Sequence, residues 1–185
     1  MIIKVREKER LELRTLVPGN ADEVFEVINR NRKHLRPWLP WVDDVKSPYN
    51  TRQTIEKWRR QFKDKSDYVF GIFSGGNYIG NIGLHNVNWQ SDSAMIGYWL
   101  SPQWQGKGIM TDCVRALINF GFGELDLNSI HIACAHANKK SRAVPERLGL
   151  VQEGMLQDCL KYHGVYYDEI IYGIVKRNWE RLYDV

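Results

Sequence analysis

The stretch with the clearest chemical meaning reads Tyr98-Trp99-Leu100-Ser101-Pro102-Gln103-Trp104-Gln105-Gly106-Lys107-Gly108-Ile109-Met110-Thr111. A β-rich run ends at Leu100, a short loop follows, and a helix is expected to begin near Gly108. Two glycines one residue apart let the backbone take positive φ and approach a ligand closely. The first N–H groups of the helix lack internal partners and lie at the positive end of its dipole. Together these features make an anion site suited to a pyrophosphate. The spacing does not match other phosphate loops. No G-x-x-x-x-G-K-[ST] run is present, and a dinucleotide fingerprint fails because Thr111 stands where its third glycine belongs. A tight strand-to-helix connection would use the same glycines, and the pattern alone leaves both readings open.

The surrounding elements have to hold that turn in place. Alternation predicts strands over residues 11–16, 68–73, 78–84, 94–100, 130–134, 150–156 and 169–175. Asn20 is a candidate N-cap, with Glu23 completing a capping box, for a first helix whose stripe is Val24, Phe25, Val27 and Ile28. Asn50 starts a second helix with Ile55, Trp58 and Phe62 on one face, and Gly75-Gly76 turns a hairpin. Met110, Cys113, Val114, Leu117 and Ile118 share a face of the helix after the glycine turn, and residues 139–148 read as a helix despite Pro145. The expected order is β-α-α-β-β-β-α-β-α-β-β: a mixed α/β chain of about seven strands and about four helices.

Composition narrows the classes. The 185 residues, with no repeat and no linker, suggest one domain over residues 1–185. No apolar run approaches the roughly 18 residues a membrane span needs, and the first residues lack a signal-peptide core. Cys113, Cys134 and Cys159 form no CxxC pair, so neither a disulfide framework nor a metal site is expected. A reducing cytoplasm fits. A net charge of +4 is too mild to indicate nucleic-acid binding.

At this point the residues resemble a known family. Gln103-x-x-Gly106-x-Gly108 is similar to the Q/R-x-x-G-x-G/A signature of the GNAT family of N-acetyltransferases, in the strand-loop-helix context that the signature requires. Five further blocks resemble its RimJ/RimL branch, the ribosomal-protein N-terminal acetyltransferases. These are residues 96–100, Asn138-Lys139-Lys140-Ser141, residues 147–154, residues 164–168 and Leu35-Arg36-Pro37-Trp38-Leu39. The resemblance implies the GNAT fold, a central, mostly antiparallel, splayed sheet. It also implies acetyl-CoA as cofactor, with coenzyme A as product. The resemblance assigns the pyrophosphate to backbone N–H groups of residues 103–108, that is Gln103, Gln105, Gly106, Lys107 and Gly108, with Ile109 and Met110 opening the helix. Trp99 and Leu100 are expected to pair with the pantetheine arm as a further strand, and a backbone N–H near Leu100 to stabilise the oxyanion on the thioester carbonyl. Asn138 is expected to bond the pantetheine, and Ser141 to approach the sulfur and give a proton to the leaving thiolate. Asn138-x-x-Ser141 is equally the pattern of a helix N-cap.

The reaction implied is aminolysis of a thioester, which needs alignment and a deprotonated amine. In its acids the chain departs from the family. Many relatives carry Glu where Met95 stands, and some carry one after the aspartate matching Asp158, where this chain has Cys159 and Leu160. His136, Asp158 and Asp92 are the stand-in bases, and a water relay or capture of already neutral amine serves as well. Trp38 and Trp41, between prolines, are candidates for the acceptor side, whereas Trp58 lies on an amphipathic stripe and reads as core. Arg32, Lys33 and Arg36 form a basic cluster that a solvated surface explains. The favoured acceptor is a protein N-terminal α-amine, as on a ribosomal protein. A small amine is the alternative, with Asp43-Asp44 as a hint of a polyamine groove. A non-catalytic acyl-CoA-binding module is the reading from a different class. Neither nucleic acid nor a membrane is expected as a partner, and the branch implies a homodimer.

Overall fold

The computed structural model describes residues 1–183. Its mixed α/β architecture is one eight-stranded sheet with five α-helices. The strands are β1 (Ile2–Arg6), β2 (Leu11–Arg14), β3 (Tyr68–Ser74), β4 (Asn77–Asn88), β5 (Ser93–Leu100), β6 (Ser129–Ala135), β7 (Val151–Tyr162) and β8 (Val165–Val175). The helices are α1 (Ala21–Leu35), α2 (Pro48–Lys63), α3 (Ile109–Gly123), α4 (Lys139–Arg147) and α5 (Lys176–Tyr183). The sheet order is β1-β2-β3-β4-β5-β6-β8-β7. Every neighbouring pair is antiparallel except β5 and β6.

That count exceeds the expected seven strands and four helices by β1 and α5. β1 is a five-residue edge strand with little buried surface, and α5 is only eight mostly polar residues held by the buried Trp179. Two helix starts also differ from expectation. The Glu23 carboxylate accepts from the Tyr78 N–H at 2.9 Å instead of closing a capping box, and Asn20 accepts from the Val17 N–H at 3.0 Å. α2 opens at Pro48, whose missing N–H costs nothing at a first helical position. Asn50 lies within that first turn and accepts from the Ser47 hydroxyl at 3.0 Å.

Each side of the sheet has its own core. On one side Val114, Leu117 and Ile118 of α3 pack against Phe70, Ile82, Leu84, Ile96 and Ile130. On the other, Val24 and Ile28 of α1 and Ile55 of α2 pack against Phe73, Tyr78 and Trp99. Strand alternation therefore sends the last two residues of β5 apart, Trp99 into the second core and Leu100 into the first. That anchors the end of β5 from both sides, directly before the glycine turn. Cys113 and Cys134 are buried, as their apolar neighbours predict, and Cys159 is exposed. Among the described residues no helix is long and apolar enough to cross a membrane.

Candidate active site

The parallel pair at the centre of the sheet is short. β5 and β6 pair only from Ser93↔Ser129 to Met95↔His131. β5 stays paired to β4 as far as Leu100, and β6 to β8 as far as Ala135. The inner edges of residues 96–100 and 132–135 therefore diverge into a wedge, where backbone groups of both strands face a gap. An extended chain with its own amides can enter such a gap as an added strand.

The glycine turn lies at the wide end of the wedge. Gly106 and Gly108 have φ of 75° and 74°, the left-handed region that a side chain disfavours. Gly108 is the N-cap of α3 and offers no side chain to its first N–H groups, which leaves them to an outside acceptor. β1 buttresses the turn: the Arg6 guanidinium pairs with Asp112 of α3 and donates to the Lys107 carbonyl at 3.3 Å. Lys107 extends over the Trp104 ring. Ile109 and Met110 are buried and fix the first turn of α3 on the core. Gln105 spans the opening. Its amide donates to the Leu100 carbonyl at 3.2 Å and meets His34 Nε2 at 2.9 Å, and its oxygen accepts from Lys140 at 3.5 Å. Burial, aided by the nearby Lys140 charge, lowers the His34 pKa.

On the β6 side, Asn138 caps α4 and accepts from the Ser141 N–H at 3.2 Å. The N-cap pattern is thus real, and it uses the Ser141 N–H, not its hydroxyl. Its Oγ lies 3.2 Å from Cys134 Sγ and 3.4 Å from the Tyr98 hydroxyl, which itself donates to the Ser141 carbonyl at 2.8 Å. Burial pushes the Tyr98 phenol well above its ordinary pKa and also raises that of the Cys134 thiol, so both stay protonated. Spacing in the sequence marks neither residue for chemistry, because the Ser-Cys-Tyr cluster joins three elements that no local pattern connects.

The residues expected on the acceptor side lie on the face of the sheet covered by α1 and α2. The Trp38 ring meets Tyr167 edge-on at 5.8 Å, and Tyr167 meets Tyr162 at 5.8 Å. Lys33, Arg36, Pro37, Tyr162, His163 and Tyr167 line a hollow of about 310 Å³. A second, of about 400 Å³, shares Lys33 and Pro37 and runs past Trp38 to Asn138. Trp41 is exposed, whereas Trp58 packs against the second core as its stripe predicts. Arg32 belongs to neither hollow. Its guanidinium clamps the Val42 and Val45 carbonyls of the loop after α1. Asp43 binds Arg36 at 2.9 and 3.0 Å, a hydrogen bond that lowers its pKa.

The stand-in bases fare unevenly. Asp92 is at the closed end of the wedge, where its carbonyl accepts from Asn128 and Ser129 at the start of β6. About seven strand residues, ~23 Å, separate it from the glycine turn. The reading of Asp92 as a base is corrected by that position: a sheet places the two ends of one strand on opposite rims. His136 is exposed just past β6, with its N–H donating to the Asp168 carbonyl at 2.8 Å. Asp158 is exposed on β7 with φ of 48°, at the irregularity between Leu156 and Leu160. Among the described residues no group of three His, Cys, Asp or Glu side chains could hold a metal ion.

Comparison with known proteins gives this geometry its context. Residues 10–151 match the acetyltransferase (GNAT) domain family. The chain is 39% identical to the putative ribosomal N-acetyltransferase YdaF of Bacillus subtilis, over 93% of this chain and 94% of the relative. It is 28% identical to the ribosomal-protein-serine acetyltransferase of Escherichia coli, over 91% and 94%. A solved structure of RimL, a ribosomal L7/L12 α-N-protein acetyltransferase in complex with coenzyme A, superposes with a TM-score of 0.90 at 26% identity, covering 95% of this chain and 98% of that one. A wedge of free strand edges and an uncapped helix N-terminus behind two left-handed glycines suit the amides and phosphates of that cofactor. The chain belongs to the GNAT family and is an acetyl-CoA-dependent N-acetyltransferase.

Proposed function

We propose that the chain, working as one domain over residues 1–185, acetylates the N-terminal α-amine of a ribosomal protein in the cytoplasm. The observation that carries the choice of acceptor is the lining of the hollow on the α1 and α2 face. Lys33, Arg36 and His163 stand there among aromatic rings, and the nearby Asp43 is engaged by Arg36. A polyamine, bearing several positive charges, would meet like charge. A peptide offers one amine, apolar side chains for the rings and carbonyls for the cations. The named activities of the relatives on ribosomal proteins support the same choice.

Acetyl-CoA supplies an acyl thioester, and this chain's residues are assigned as follows. Backbone N–H groups over residues 103–108, together with those of Ile109 and Met110, hold the pyrophosphate at the positive end of α3. Trp99 and Leu100 offer the strand edge to the pantetheine, and a backbone N–H near Leu100 receives the acyl oxygen. Asn138 orients the arm from the far side of the wedge, and the Ser141 hydroxyl faces the sulfur. Since Tyr98 and Cys134 stay protonated beside Ser141, a proton is at hand for the departing thiolate.

The test is to incubate the purified protein with isotope-labelled acetyl-CoA and a ribosomal-protein fraction plus soluble amines from cells lacking the gene. Label recovered on N-terminal residues is the expected outcome. Label confined to the soluble amines would overturn the α-amine reading.

A further inference from the structure

The family position that Met95 leaves without a carboxylate has an occupied neighbour. His85 of β4 pairs with Met95 in register, and its ring is held by a second residue. Nδ1 lies 3.1 Å from Asp67 Oδ1. Asp67 is buried at 8% exposure, its Oδ1 also accepts from the Asn86 N–H at 3.1 Å, and the Gln61 amide donates to Oδ2. A carboxylate surrounded by donors is acceptor-only, so Nδ1 carries the proton and Nε2 keeps a lone pair.

The ring covers two glycines. A Cβ on Gly83 would come within 3.0 Å of Nε2, and one on Gly97 within 3.3 Å of Cδ2 and 3.5 Å of Nε2. The imidazole thus reaches over to β5, close against Gly97, which has no side chain to hold it off. Gly97 falls two residues past the last β5–β6 pair, where the wedge opens. By strand alternation it shares the face of Trp99, toward α1 and α2, which is the acceptor face. Leu100 lies three residues on, about 10 Å of strand, a span that a chain of two or three waters can bridge. The His85 side chain is 37% exposed, so water reaches it.

We propose that His85, oriented by Asp67, accepts through water the proton that the attacking amine must lose. The inference rests on acetyl transfer to an amine, not on which amine. The nitrogen starts with three protons and ends in an amide with one. Of the two it loses, one passes to Nε2 and on to solvent, and the other leaves on the thiol of coenzyme A. A C–N bond replaces the C–S bond. Asp67, just before β3, is the carboxylate paired with the ring; on the same face, beyond Met95 of β5, His131 of β6 pairs with Glu153 of β7 at 3.2 Å. The side chain of α2 that reaches Asp67 is the neutral Gln61.

Two measurements decide the matter. In ¹⁵N-histidine spectra of the protein alone, with His85 assigned by His85→Gln, the expected neutral form is Nδ1–H with a bare Nε2, and an Nε2–H tautomer would overturn the proposal. In steady-state assays, a serine-initiated peptide and spermidine serve in parallel as acceptors, and the one that turns over is used for the variants. If only spermidine reacts, the α-amine reading falls while the test of His85 proceeds. His85→Gln is expected to lower kcat about 100-fold at pH 7, to flatten the acid limb of the pH profile and to leave acetyl-CoA affinity unchanged. His85→Ala should regain rate with added imidazole. A His85→Gln rate within threefold of the parent, with the same pH profile, would sink the idea.

Discussion

The two sides of the wedge are built in different ways. The side proposed for the cofactor's phosphates is almost entirely backbone from one short stretch: two left-handed glycines, an uncapped helix start and the end of β5. The side proposed for the acceptor is side chains from distant segments, with Lys33 in the last turn of α1, Trp38 just beyond it, and Tyr162, His163 and Tyr167 on the β7–β8 hairpin. Backbone geometry cannot be changed piecemeal, whereas a lining of side chains can change one residue at a time. The first side should therefore be brittle to substitution and the second graded.

The largest effect is expected at Gly108. Valine there would hold φ at 74° against a side chain and bring a Cβ within 3.0 Å of the Arg6 guanidinium. Affinity for acetyl-CoA measured calorimetrically should fall about 100-fold, some 3 kcal/mol. A near-parental affinity would break the contrast. Ser141→Ala comes next. It should lower kcat about 30-fold at constant acetyl-CoA affinity, less than the loss of a full proton-transfer contribution, because the Tyr98 hydroxyl and the Cys134 thiol remain beside the site as donors. Trp38→Ala should raise the acceptor KM about 10-fold, or about 1.4 kcal/mol, and leave the cofactor KM alone. An equal rise in both constants would show that the two sides are not separable. The smallest effect is Arg36→Ala. Asp43 has a lowered pKa in the folded chain, so its pairing stabilises above the ordinary carboxylate range and is lost as pH falls through the folded value. The melting-temperature difference from the parent should be present at pH 7 and should shrink toward zero in strong acid.

The same contrast governs what the sequence reveals. The glycine turn, the strand before it and the helix after it are contiguous, so spacing alone reports their geometry. Seven of the strands and four of the helices could be read from period and punctuation, whereas β1 is a short, little-buried edge strand and α5 is two turns of mostly polar residues around the buried Trp179. The capping pair at Asn20 and Glu23 failed because tertiary contact won: Glu23 serves Tyr78, 55 residues away. Asn138 and Ser141 were legible because they are local to one helix start. The His85–Asp67 pair was not, since it forms only when β3 and β4 align 18 residues apart in sequence, and each residue alone looks ordinary. A lone histidine at the end of a strand gives no sign of the carboxylate that turns its ring.

The three-residue ladder between β5 and β6 has a thermodynamic consequence. A sheet whose middle is left unfinished stores part of its attainable stability in the molecule that fills the gap. A ligand that binds only the folded chain, held at 100 times its Kd, adds about 2.7 kcal/mol. For a chain of this length that corresponds to a rise in melting temperature of about 5–10 °C. Amides at residues 96–100 and 132–135 should gain the most protection from hydrogen exchange. Resistance to heat and proteolysis would then report how much acetyl-CoA the surroundings supply, making the half-life of the protein a readout of acyl supply.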